Sequence, residues 1–160
     1  MTPTSKKDDA VKMICINRRA RHEYTIEETV EAGLVLRGSE VKSLREGKAN
    51  LSDSYARIER GEANLLNAHV SPYSSSSELD LSPTRPRKLL LHKRELDRLT
   101  GKVQQKGLTL VPLRLYFKGG LAKVELALAR GKKLHDKRQT LRERAHEREM
   151  ERSLKSRQKD

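Results

Sequence analysis

The sequence predicts a mainly β fold: a small antiparallel β-barrel carrying two short helices and followed by a basic C-terminal tail. Three observations carry this prediction. Val111, Leu113, Leu115 and Phe117 alternate with Pro112, Arg114, Tyr116 and Lys118, and past Gly119-Gly120 the set Ala122, Val124, Leu126 and Leu128 alternates again. Period-two patterning of this kind describes a hairpin with one buried face. Elsewhere short apolar runs are separated by turn residues, with no strand–helix–strand repeat that would signal a parallel sheet. From Gly131 onward the sizeable apolar residues thin out to Leu134, Leu141, Met150 and Leu154, too few to build a core.

In chain order, residues 1 to 11 are polar and charged, contain Pro3 and show no periodicity, as a frayed terminus does. Structure is expected from residue 12, with Met13-Ile14-Cys15-Ile16 as a short strand. The run Asn17-Arg18-Arg19-Ala20-Arg21-His22 separates it from residues 24 to 36, readable as one bent strand or as strand, turn, strand, with Gly33 at the bend. Gly38-Ser39 offers a turn and N-cap for a two-turn helix at 40 to 46, which Gly47 would stop. Residues 55 to 59 and 62 to 70 flank Arg60-Gly61, a tight-turn pair, and so form a hairpin. Residues 71 to 86 hold Pro72, Pro83, Pro86 and four consecutive serines and read as a surface loop. Leu96, Leu99 and Val103 then recur at helical spacing, giving a second helix that ends before Gly107. Short antiparallel strands with two inserted helices fit an OB-like barrel best, with an SH3-like barrel and an α+β sandwich as alternatives that strand count leaves open.

At 160 residues the chain is one domain plus an appendage, here 12 to 130 and 131 to 160. Lys and Arg number 35 against 22 acids, a net charge of +13, which calls for a polyanionic partner. No apolar run approaches the roughly 20 residues that span a bilayer, and no basic amphipathic face carries Trp or Phe. Nucleic acid therefore leads over membrane. No apolar segment follows the charged start, so the expected location is the cytoplasm. The lone Cys15 is expected to be a small core hydrophobe.

Chemistry is not indicated. The five histidines show no metal-clamp spacing, no phosphate-cradling Gly-rich loop or nucleophile elbow occurs, and Glu27, Glu28 and Glu31 lie in a strand-like segment where neighbours face opposite ways. The expectation is a binding protein, not an enzyme, with neither metal nor cofactor, acting as a monomer. Its binding residues begin with Asn17, Arg18, Arg19 and His22, which concentrate guanidinium, amide and imidazole groups suited to phosphates and unpaired bases; Lys88 adds a further charge. The last thirty residues hold eleven Lys and Arg against six acids. Beyond Arg138 they lack Gly and Pro but have no continuous apolar face, so the tail is expected to be disordered when free and helical when docked on an anion.

The string Asn17-Arg18-Arg19-Ala20-Arg21-His22-Glu23-Tyr24 resembles the opening signature of the SmpB family. It is followed in order by Glu31-Ala32-Gly33-Leu34, Gly38-Ser39-Glu40-Val41-Lys42-Ser43-Leu44-Arg45, Lys48-Ala49-Asn50, Asp53-Ser54-Tyr55, Arg87-Lys88-Leu89-Leu90-Leu91 and Gly131-Lys132-Lys133-Leu134-His135-Asp136-Lys137-Arg138. The resemblance implies an OB-fold barrel that binds the tRNA-like domain of transfer-messenger RNA (tmRNA) and delivers it to stalled ribosomes. It implies tmRNA contacts at Asn17, Glu31 and Leu91. It also implies a tail that enters the empty messenger channel, meets small-subunit rRNA near the decoding centre and folds there, through Gly131 as a hinge, Lys132, Lys133, His135, Asp136, Lys137 and Arg138. A carboxylate repels phosphate, so Glu31 is expected to accept from base or 2′-hydroxyl donors or to orient an arginine.

Overall fold

A computed structural model describes residues 10–73, 81–132 and 134–157, with the backbone alone at 106, 134–140 and 157. The middle of the serine-rich loop, Lys133, and the side chains of His135, Asp136, Lys137 and Arg138 lie outside the described residues, as does most of the N-terminal segment.

Among the described residues nine strands form: β1 (Val11–Ile16), β2 (Tyr24–Leu34), β3 (Ala49–Asn50), β4 (Tyr55–Glu59), β5 (Glu62–Leu66), β6 (His69–Val70), β7 (Arg87–Leu90), β8 (Thr109–Lys118) and β9 (Leu121–Gly131). Helices α1 (Ala20–Glu23), α2 (Gly38–Arg45), α3 (Lys93–Lys106) and α4 (Leu134–Arg157) are interspersed. The main sheet runs β1-β8-β4-β5-β7-β2-β9, and β9 pairs back onto β8. The sheet therefore closes, with every described pairing antiparallel, and the chain is an OB-like barrel. A separate pair, β3 with β6, ties the α2 region to the loop that leaves β6.

The two expected helices are α2 and α3. Ser39 does not cap α2; the cap position is Arg37, whose backbone N–H donates to Glu40 Oε1 at 2.9 Å. A carboxylate three residues inside the helix thus satisfies the free backbone donor before the first turn. Helix α3 contributes Leu99, which is fully buried, to the barrel core, with Leu96 and Val103 packed against that core. Glu28 on β2 accepts from both Arg98 and Lys102 of α3, and these donors hold its carboxyl below the usual range. Gly107 ends α3 at φ +61°, a left-handed conformation that costs a Cβ-bearing residue about 1 kcal/mol. Gly107→Ala is accordingly expected to lower folding stability by about 1 kcal/mol in urea denaturation, with the fold unchanged.

Strand β2 runs as one strand through Gly33, in register with Leu90 of β7, and a Cβ there would sit 3.2 Å from Leu90 Cβ, so the glycine serves a close approach between strands. At the first hairpin Arg60 (φ +51°) and Gly61 (φ +74°) both take positive φ, the turn whose twist matches paired strands.

The expectation of a single buried face on β8 and β9 is corrected. The pairing register shifts between Pro112 and Arg114, and a bulge flips the alternation. Leu110, Leu115 and Phe117 face the barrel core with Val124, Leu126 and Leu128, whereas Val111 and Leu113 face outward into a second cluster with Ala20, Ala127 and Ala129. That outer cluster seats α1. Cys15 packs against the main core as expected, and burial pushes its thiol up to about 11.

Candidate nucleic-acid interface

The basic run is built by burying two of its residues, half-burying His22 and exposing the three arginines. Ala20 is the knob that fits the outer cluster. Asn17, at 4% exposure, donates its backbone N–H to Leu113 O (2.7 Å) and its Nδ2 to Pro112 O (2.9 Å) and Leu51 O (3.2 Å). Its amide thus pins the loop to β8 and to the β3–β4 connection, and the residue lies beneath the surface it organises. With Asn17 and Ala20 turned inward, Arg18, Arg19 and Arg21 are left exposed. Arg19 lies 3.6 Å from Asp53, both well exposed, a pairing of little energetic weight. Arg18 and Arg21 form no ion pair among the described residues. His22 is half-buried.

A groove runs beside this loop, lined by Arg18, Arg21, Arg114, Glu125 and Arg144 with Ile16 and Leu113 at its floor. Arg114 donates to Glu125 at 2.6 Å and lies over the Tyr116 ring, 5.5 Å from its centroid. Four guanidinium groups against one carboxylate give the groove a chemistry suited to phosphate, which guanidinium forks bind bidentately. Of these, Arg18 was expected from sequence. Arg21 belongs to the same basic run, whereas Arg114 reads from sequence only as a polar position in an alternating strand. Nothing local in the sequence marks Arg144, a tail residue, as a neighbour of the loop.

Glu31 lies on the outer face of β2, its side chain 37% exposed. Its Oε2 accepts the Tyr116 hydroxyl and lies 3.6 Å from Lys118 Nζ. The Tyr116 bond, aided by the charges of Lys118 and Lys123, holds the Glu31 carboxyl below its ordinary range, while burial and the same bond push the Tyr116 phenol up. Lys88 and Leu91 are elsewhere. Lys88 is exposed on β7, 3.6 Å from Glu62, and Leu91 packs half-buried against the core; both line a different concavity, with Leu90 and Lys93.

Gly131 is the last residue of β9, paired with Tyr24. Next to it, the Lys132 backbone N–H donates to Glu23 O (2.8 Å) and its Nζ to Arg21 O (3.2 Å). The tail is thereby moored beside α1. Beyond it α4 has the helical form expected of the docked tail, with every described side chain from 141 to 156 exposed. No described helix is long and apolar enough to cross a membrane, and no three His, Cys, Asp or Glu side chains converge among the described residues.

By class, this is a basic OB-like barrel with an arginine-lined groove, an architecture suited to nucleic acid. The SmpB protein family model matches residues 14–156. The SsrA-binding protein of Desulforudis audaxviator (strain MP104C) is 62% identical over 144 residues, covering 90% of this chain and 94% of that one. That of Thermosynechococcus vestitus (strain NIES-2133 / IAM M-273 / BP-1) is 59% identical over 150 residues, covering 93% and 99%. A solved structure presented as “tmRNA-SmpB: a journey to the center of the bacterial ribosome” holds a chain 60% identical, with a TM-score of 0.63, covering 75% of this chain and 85% of that one. The chain belongs to the SmpB family.

Proposed function

We propose that this protein is the RNA-binding adaptor of trans-translation: its barrel binds the tRNA-like domain of tmRNA and brings it to stalled ribosomes, while its tail occupies the empty messenger channel near the decoding centre. The observation that carries the reading is the 60% identical neighbour in the tmRNA-SmpB structure, joined to a groove whose guanidinium groups outnumber its carboxylates. The adaptor has no chemistry of its own and works in the cytoplasm, where ribosomes are. Arg18, Arg19 and His22 meet the RNA, with Asn17 supporting them from below; Glu31, Lys88 and Leu91 extend the contact across two further faces. Lys132 and the tail residues Lys133, His135, Asp136, Lys137 and Arg138 serve the ribosome, with Gly131 anchoring them to the barrel.

Titrating purified protein against tmRNA at several salt concentrations tests the barrel's part. The Arg18→Ala/Arg19→Ala variant is expected to bind more weakly and to flatten the salt dependence by roughly one to two units of log–log slope, one per lost phosphate contact. Unchanged affinity and slope would remove this loop from the interface.

A further inference from the structure

We propose that Tyr116 is a positioning residue for RNA recognition, holding Glu31 so that its free oxygen reads an amino or imino donor on an unpaired base. This rests on the proposed tmRNA binding and adds a specificity element to it.

Glu31 and Glu125 stand directly opposite each other on β2 and β9, and like charges so placed are destabilising. Each is compensated from β8. Glu31 receives the Tyr116 hydroxyl and approaches Lys118; Glu125 receives Arg114. Glu31 spends only Oε2 on these partners, and Oε1 has none among the described residues. Tyr116 is 4% exposed, so it cannot itself meet a macromolecule; what it does, it does through Glu31. In a strongly basic protein, an exposed carboxylate kept ionised and fixed in direction is unsuited to phosphate but matched to hydrogen-bond donors. Base amino groups are the donors that carboxylates accept from. The groove begins at Arg114 and Glu125, immediately beside this pair, so a strand whose phosphates lie along Arg18 and Arg21 can present a base edge to Glu31.

The charged and titratable groups facing Glu31 are Tyr116 and Lys118 from β8 and Lys123 and Glu125 from β9. The Tyr116 bond is the main cause of the lowered Glu31 carboxyl, so an acceptor held this way persists as pH falls through the ordinary carboxylate range near about 4.3. Without the hydroxyl, Glu31 protonates at higher pH and the acceptor is lost sooner.

The test is a binding cycle with the tRNA-like domain of tmRNA, using wild type, Tyr116→Phe, Glu31→Gln and the double variant from pH 7 to pH 4. Tyr116→Phe is expected to weaken binding about three- to tenfold at pH 7, the scale of one hydrogen bond, with the salt slope unchanged and the deficit widening toward pH 4. The double variant is expected to bind no worse than Glu31→Gln alone, because the two residues act as one unit. Wild-type affinity in Tyr116→Phe, a pH-independent deficit, or losses that add in the double variant would overturn the proposal. Thermal melts of each variant report folding, and Glu31→Gln keeps the test decisive if Tyr116→Phe is unstable, since wild-type binding by Glu31→Gln also refutes it. Failure of the wild-type protein to bind the RNA would instead refute the proposed function.

Discussion

Glu40→Ala is expected to remove about 3–5 kcal/mol of folding stability, the cost of leaving a buried charge without its partner. Arg87 is 1% exposed and Glu40 4% exposed. The Arg87 guanidinium donates Nε to Glu40 Oε2 (2.6 Å), Nη1 to Ala68 O (2.7 Å) and Nη2 to Pro83 O (2.9 Å), while Arg85 donates to Glu40 Oε1. One guanidinium thus joins α2, the β5–β6 connection and the C-terminal side of the serine-rich loop. Removing the carboxylate strands that cation in the interior, where it stays charged at any pH the fold survives. Urea denaturation of the variant measures the loss. Burial alone would raise the Glu40 carboxyl, but donation from Arg85, from the Arg37 backbone and from Arg87 outweighs it and holds the group below its ordinary value. A lowered folded-state value means that this contribution is complete above the unfolded carboxylate's pKa of about 4.3 and is lost as pH falls through the lower folded value. Acid titration of wild type should therefore show a destabilising step below about pH 4 that Glu40→Ala lacks.

Truncation after Lys132 is expected to abolish peptide tagging on stalled ribosomes while leaving barrel stability close to wild type and costing tmRNA affinity only the one groove contact of Arg144. The cut keeps the Gly131–Tyr24 pairing and the Lys132–Glu23 hydrogen bond; a cut after Arg130 would lose both and confuse a tail effect with a frayed barrel. Because the described side chains of α4 from 141 to 156 are exposed, the helix draws little support from the barrel. Its own side-chain pairs contribute only a few tenths of a kcal/mol each. The difference in circular dichroism between full-length and truncated protein should accordingly show little helix for the free tail. Joint loss of tagging and RNA affinity would argue against a division between barrel and tail.

The features legible in the sequence were those set by near neighbours along the chain. Arg60-Gly61 announced its turn, the Leu96, Leu99 and Val103 spacing gave α3, and the β9 alternation placed Val124, Leu126 and Leu128 in the core. What stayed hidden depended on distant partners. The β8 bulge reverses the facing of Val111 and Leu113 without any local signal, because an extra residue in one strand has meaning only against its partner. Asn17 reads as a binding residue from the family resemblance and its amide; that its Nδ2 also bonds backbone carbonyls 34 and 95 positions away is not legible locally. Tyr116 and Glu31 are 85 residues apart, and Arg87 and Glu40 are 47 apart. Each of these pairs became visible only once the barrel closed.

The outer cluster beneath α1 has a consequence for how this surface can evolve. Ala20 rests on Ala127 and Ala129, all three essentially without solvent contact. Three methyl groups therefore gauge the height at which Arg18, Arg19 and Arg21 ride above the sheet. A bulkier side chain at any of them would lift the arginines out of position while leaving every charge in place. Constraint on the basic loop thus extends to alanines that never meet RNA, and it is a constraint of clearance, not of charge.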